Sequence, residues 1–143
     1  MPRIALAVAT VAGLMSAAST ADGYQTNVNT VIGRHDKTII GQAIVVPPNP
    51  NVVFSTSTFA PGARTPVHKH LYPHYVCIKS GTLTIVGTEV GKEFAFAAGS
   101  CFVEMLDKWH YGINKGKVPV VTLVVDQVPA GVSVNSVPLP EHN

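Results

Sequence analysis

The sequence predicts an all-β domain, a sandwich or barrel, and three observations predict it. Runs of β-branched or alternating residues recur along the chain, and Gly, Pro and Asn turn signals separate them every six to twelve residues or so. After the first twenty-odd residues there is no apolar stripe at three-four spacing of the kind a packed helix shows. The runs are short, about eight to ten in number, which suits a sandwich or a barrel without choosing between them.

In chain order, Met1 to Arg3 is a short cationic start, Ile4 to Met15 an uncharged apolar run, and Ser16 to Ala21 small residues throughout. This is the grammar of a secretory signal peptide over 1–21, with a mature start near Asp22. The apolar run falls short of the roughly 20 residues that a spanning helix needs. No membrane association is expected after cleavage, and the mature chain is expected in the periplasm or outside the cell. Residues 22–42 read as an N-terminal arm with one or two edge strands, at Asn29–Ile32 and Thr38–Ile40. His35 sits there between Arg34 and Asp36 and reads as solvated.

Residues 43–128 form the main domain. Ala43–Val46 is a β-branched run closed by Pro47-Pro48-Asn49-Pro50, which can continue neither strand nor helix. Val52–Phe59 alternates, with Val52, Phe54, Thr56 and Thr58 on one side and Val53, Ser55, Ser57 and Phe59 on the other. Strands are expected at Thr82–Val86, Gly91–Ala97, Ser100–Met105, Trp109–Ile113 and Val118–Val125, each bounded by turn residues. Residues 129–143, with Pro129, Pro138 and Pro140, read as an extended tail over the outside of the domain or a frayed end.

Composition bounds the function. Lys and Arg number 10 against 8 Asp and Glu, so loss of Arg3 with the signal segment leaves a nearly neutral chain. Such a balance gives nucleic-acid binding no support. Cys77 and Cys101 are the only cysteines. In an exported chain they form either one disulfide or two buried thiols, and no CxxC spacing points to thiolate-bound zinc.

The chemistry gathers between Gly62 and Gly81, where His68, His70 and His74 fall within seven residues. On a strand, His68 and His70 leave the same face with Cα atoms roughly 6 to 7 Å apart, so both rings can reach one ion. His74 shares their parity but lies about 13 Å farther along a straight strand. It joins them only if Leu71-Tyr72-Pro73 turns the chain back. His110 is the fourth candidate, and imidazole nitrogens suit zinc, copper, iron, nickel and manganese.

Two spaced patterns frame these histidines. The first is Gly62, five residues, His68-Lys69-His70, three residues, His74, six residues, Gly81; the second is Gly99, five residues, Met105, one, Asp107, two, His110, three, Asn114. Together they resemble the two conserved motifs of the cupins. His74 stands where glutamate is usual, Met105 where proline is and Asp107 where glycine is. The resemblance covers about Phe54 to Val125 and implies a double-stranded β-helix, the jelly-roll barrel, with one divalent transition metal inside (Mn, Fe, Ni, Cu or Zn). By position, His68, His70 and His110 match the histidine ligands and His74 matches the carboxylate ligand. Four neutral imidazoles would leave the ion at +2 instead of near +1, a stronger Lewis acid.

With the motif carboxylate gone, Glu104, an acid inside the apolar run CFVEML, is the candidate general base; the alternative is an outward-facing strand residue. Tyr72, Tyr75, Phe54, Phe102, Trp109 and Tyr111 are expected to supply core and pocket wall. Lys69 must point away from the face bearing His68 and His70, and Arg64 is expected at the surface, the alternative being that it meets an anionic substrate. The resemblance to quercetinase-type cupins implies an exported metal-dependent dioxygenase acting on a small oxygenated organic molecule. A non-catalytic metal- or small-ligand-binding protein, or a cupin isomerase or lyase, is the alternative, and a homodimer paired through its sheets is implied as well.

Overall fold

The computed structural model describes residues 28–140, so the expected signal segment and the start of the arm lie outside the described residues. The described chain is all-β: β1 (Asn51–Phe59), β2 (His68–His70), β3 (His74–Ser80), β4 (Thr82–Gly87), β5 (Lys92–Ala97), β6 (Cys101–Val103), β7 (His110–Ile113), β8 (Val120–Val128) and β9 (Ser136–Pro138). They form two antiparallel sheets, one ordered β1-β8-β3-β6 and the other β5-β4-β7-β2-β9. This is the jelly-roll barrel that the paired motifs imply.

The longest register is β1 on β8, unbroken from Asn51↔Val128 to Phe59↔Val120. The core lies between the sheets: Val76, Ile78, Phe102 and Val124 from one face Leu83 and Ile85 from the other. Burial of such side chains is worth about 1.5–3 kcal/mol each. Gly81 makes the tight β3–β4 connection with φ of 74°. A Cβ there would meet the Pro119 carbonyl and Val120 Cγ2 at 2.8 Å, so glycine is required twice over. Asn114 ties the turn after β7: its Nδ2 donates to the Phe59 and Val118 carbonyls at 3.0 and 2.8 Å, and its Oδ1 accepts from Gly116 N at 2.9 Å.

Three expectations need correction. The arm forms no strand at Asn29–Ile32 or Thr38–Ile40, and Ala43–Val46 is not in a sheet either; a single bridge, Lys37↔Ala43, is all the pairing there. Its polar groups are spent elsewhere, because Ile39 N donates to the Val103 carbonyl at 2.9 Å and the Gln42 amide bonds both Leu106 N and Leu106 O at 2.8 Å. The tail is not merely an outer strap: β9 pairs antiparallel with β2, opposite all three residues of His68–His70. Proline at the end of β9 is tolerated because that strand is a sheet edge. Of the two cysteine readings the disulfide holds, Cys77 and Cys101 being directly opposed on β3 and β6.

Candidate metal centre

His68 and His70 leave β2 on one face, as their spacing requires, and His110 opens β7 directly opposite His68. Ring centroids lie 4.8 Å apart for His68–His70, 4.7 Å for His68–His110 and 5.1 Å for His70–His110. The fourth member comes from the other sheet. Just after β6 the alternation breaks and Glu104 and Met105 are both buried, with Glu104 N donating to the His74 carbonyl at 3.0 Å. One ligand atom from each of His68, His70, Glu104 and His110 falls within 4.8 Å of all the others.

A single oxygen of Glu104, Oε2, accepts from His70 Nε2 at 3.0 Å and from His110 Nε2 at 2.7 Å. Nδ1–H of His110 donates to the Lys108 carbonyl at 2.7 Å and that of His68 to the Pro66 carbonyl at 2.8 Å. Both rings are thereby oriented with Nε2 inward. His70 is 1% exposed, and its Nδ1 is buried without a partner among the described residues.

The charges follow from this packing. Burial lowers His68, and lowers His70 to about 4, so both are neutral near pH 7; the one proton of His70 sits on the Nε2 that donates to Glu104 and must move before that nitrogen can ligate. Burial also works against charge on His110, yet the hydrogen bond and charge of Glu104 outweigh it and raise its pKa above the usual 6.5. Burial alone would push Glu104 up; hydrogen bonds from His110 and His70 instead hold it well below the usual carboxylate range. The metal-free arrangement is thus a carboxylate with shared protons at the point where four donors converge. Three imidazoles and one carboxylate form a donor set that suits first-row divalent ions, and such an ion competes for the positions the protons hold.

His74, expected as a ligand by motif position, is brought alongside but lies outside this group. The Leu71-Tyr72-Pro73 bend carries the chain across to the other sheet, and the His74 ring stacks on His70, centroids 3.8 Å apart and planes within 7°. Its Nδ1 bonds Asp126 Oδ1 at 2.7 Å, from the residue directly opposite on β8. Asn135 Nδ2 donates to the same oxygen at 2.7 Å. Burial opposes charge on His74, but the Asp126 bond prevails and raises its pKa, while Asp126 is held below its usual value in return.

Between the sheets lies a cavity of about 330 Å³ whose lining includes His68, His70, His74, Glu104 and Asp126. Val53, Ser55, Ser57 and Phe59 of β1 line it, the second of the two sides that alternation separates. Of the six aromatics expected to supply core and pocket wall, Phe102 is core, stacked on Phe96 at 3.7 Å, and none lines this cavity: Trp109 lies under Lys69, Tyr111 under Arg64, and Phe54 is 69% exposed. Tyr72 and Tyr75 do not line it either. Lys69 points away from the histidines, as expected, and pairs with Asp107 at 2.6 Å.

Asp126, Thr122 and Asn135 line the cavity beside the histidines, and the sequence reading missed them. The signal that singled out Glu104, an acid within an apolar strand, was equally present in VTLVVDQV. Asn135 carried no such signal, because its place depends on the tail folding back as β9.

The family model described as a cupin domain matches residues 55–126, half of the chain. No curated protein matches the sequence. Among solved structures, the polyketide cyclase RemF from Streptomyces resistomycificus is similar at 21% identity and a TM-score of 0.52, with 63% of each chain covered. An oxalate decarboxylase from Lactobacillus farciminis, in a formate complex, is similar at 22% and 0.52, covering 62% of this chain and 26% of that one. A sugar phosphate isomerase from Silicibacter pomeroyi DSS-3 stands at 23% and 0.48, covering 55% and 51%. The chain therefore spans less than two thirds of each of these structures, and at such identities the likeness is one of fold.

Proposed function

This chain belongs to the cupin family, and we propose that it is an exported metal-dependent enzyme acting on a small oxygenated organic molecule, with dioxygenase chemistry as the first reading. The observation that carries the proposal is the convergence of His68, His70, His110 and Glu104 beside a cavity large enough for a small substrate. We assign the ion to these four residues, with Glu104 as a ligand instead of a free base. A divalent ion held there would supply a Lewis acid and a place for a substrate oxygen. Lys108 and Pro66 fix the rings of His110 and His68 through their carbonyls, and such outer contacts keep ligand nitrogens aimed.

His74 then serves the substrate. With Nδ1 on Asp126, the ring is held in one orientation and its other nitrogen is left for a substrate hydroxyl. The His74–Asp126 pair, not Glu104, is the proton-handling group of this reading. The Cys77–Cys101 bridge supports export, since disulfides persist in oxidising compartments. A non-catalytic binding protein is the second reading, favoured by histidine at the position where the motif usually carries glutamate.

Two measurements test the proposal. Metal analysis of untagged protein is expected to give one equivalent of a divalent transition ion, lost in His70→Ala; equal metal in both would end the assignment. Oxygen uptake with flavonols, diketones and catechols is expected to depend on that metal. A metal-loaded protein with no uptake across the panel would leave the binding reading in its place.

A further inference from the structure

We infer that the cavity beside the metal centre takes an uncharged, hydroxyl-bearing small molecule with an apolar middle, and selects against carboxylates and phosphates of similar size. The inference rests on the reading of that cavity as the substrate site, and it goes further by fixing the charge and shape of what enters.

Charge sets the first constraint on what enters. Among the described residues, no Lys or Arg lines the cavity, and its formally acidic groups are Glu104 and Asp126. The two cations nearest in sequence to the histidines are engaged outside it: Arg64 sits 5.2 Å above the Tyr111 ring, and Lys69 is paired with Asp107 and lies 4.9 Å from the Trp109 ring centroid. Any charge on His74 is already matched by Asp126 at 2.7 Å. With His74 neutral, the two carboxylates would balance a divalent ion, and a bound anion would then gain little net attraction. A second anionic group on the same molecule would face Asp126 with no cation to meet it, and like charges at short range repel strongly in such a site.

Unspent polar groups set the second. Thr122, Val124 and Asp126 alternate on the inward face of β8, opposite Ile78, Val76 and His74 of β3. Most polar side chains here are already used. Asn135 is bonded to Tyr72 N, Tyr72 O and Asp126, and the Thr65 hydroxyl accepts from Gly112 N. Two groups are not. Thr122 is 1% exposed, lines the cavity, and its Oγ1 is buried without a partner among the described residues. His74 bonds through Nδ1, and its other ring nitrogen has no partner among the described residues.

By strand rise these two groups stand roughly 13 Å apart, with Val76 and Val124 lining the cavity between them. Ser55 and Ser57 face them from β1, and Ser133 and Ser136 from the tail. A hydroxyl both donates and accepts, so it satisfies Thr122 Oγ1, a serine or either charge state of His74. A carboxylate only accepts, and it brings a charge the wall does not offset.

Titration calorimetry on protein loaded with zinc tests this with matched pairs: catechol against 3,4-dihydroxybenzoate, and 4-hydroxybenzyl alcohol against 4-hydroxybenzoate, with oxalate as a small dianion. The neutral member of each pair is expected to bind at least about tenfold tighter, and oxalate weakest of all. Thr122→Val is expected to weaken the neutral members by about five- to tenfold with zinc content unchanged, and Thr122→Ser to restore them. Asp126→Asn should narrow the neutral-to-anion ratio. Tighter binding of the anions, or no binding of the neutral members by protein that holds zinc, overturns the inference and leaves the metal centre intact. Failure to hold zinc at all overturns the functional reading beneath it.

Discussion

The two histidine–carboxylate arrangements beside the cavity are built from the same groups and do opposite things. Glu104 meets His70 and His110 through their Nε2 atoms, the atoms that converge with His68 on one point. Asp126 meets His74 through Nδ1, a nitrogen that takes no part in that convergence. A carboxylate on converging nitrogens competes for the seat of an ion; a carboxylate on the outer nitrogen orients a ring that acts elsewhere. Strand pairing makes the difference. Asp126 and His74 are directly opposed on neighbouring strands, whereas Glu104 reaches across from a turn after β6 to two histidines of the facing sheet.

The largest expected effect would break this comparison if it failed. Glu104→Gln is expected to weaken metal binding by more than about 100-fold, while His74→Ala changes it by no more than about threefold; outer-sphere partners of true ligands cost 10–100-fold. Competition titration with a chromogenic chelator reads both. A His74→Ala loss as large as that of Glu104→Gln would restore the four-histidine set that motif position implies.

The same titration against pH sharpens the contrast. His110 carries a proton that Glu104 stabilises, and an ion must displace it, so affinity should climb as pH rises through the His110 pKa, above 6.5. Below that pKa the proton competes. In Glu104→Gln the carboxylate that raises His110 is gone, and the climb should move to lower pH. An unchanged pH profile in that variant would remove Glu104 as the cause.

Much of this was legible in the sequence, for identifiable reasons. The alternation of Val52–Phe59 separated the side chains that line the cavity from those that do not, without saying which side faces in; the glycine-framed histidine spacing pointed to the jelly roll through its resemblance to the cupin motifs, and Gly81 of that frame has no substitute at its turn. The ligand group was harder. Motif position points to His74, but which ring nitrogen it leaves free depends on Asp126, 52 residues away. The inward turn of Glu104 follows from a break in alternation that strand parity could not foresee. Proline content made the tail look like an outer strap, yet Asn135 caps the Tyr72 backbone and pins β9 to the sheet edge.

A smaller effect is expected from the scaffold that both regions share. The Cys77–Cys101 bridge clamps β3, which begins at His74, to β6, which leads into Glu104, and it closes a separation of 24 residues. A loop of that size is worth about 3 kcal/mol. Cys77→Ser with Cys101→Ser should lower the free energy of unfolding in urea by about that much. Because Glu104 N also bonds the His74 carbonyl, the two regions should loosen together, with metal affinity and ligand affinity falling in parallel. Loss of one without the other would show that they are held independently.

The smallest effect concerns Asp107, on the metal side, where the motif usually has glycine. Its φ of 49° lies in the left-handed region that side chains disfavour and Asp tolerates better than most. Its backbone N–H donates to the His70 carbonyl at 2.8 Å, and its exposed carboxylate, depressed by the Lys69 hydrogen bond, pairs at 2.6 Å. Asp107→Gly relieves the backbone and loses a pair that water screens, so the two changes oppose each other. The melting temperature should move by less than about 3 °C. Asp107→Asn keeps the tolerance for left-handed backbone and loses only the charge, so it should lie slightly below both the parent and the glycine variant. Metal affinity should be unchanged in all three, since the side chain at 107 reaches the histidine strand only through Lys69, which points away from the site, and the backbone bond to the His70 carbonyl is kept; a metal defect in the asparagine variant alone would mean that the charge at 107 acts on the ion.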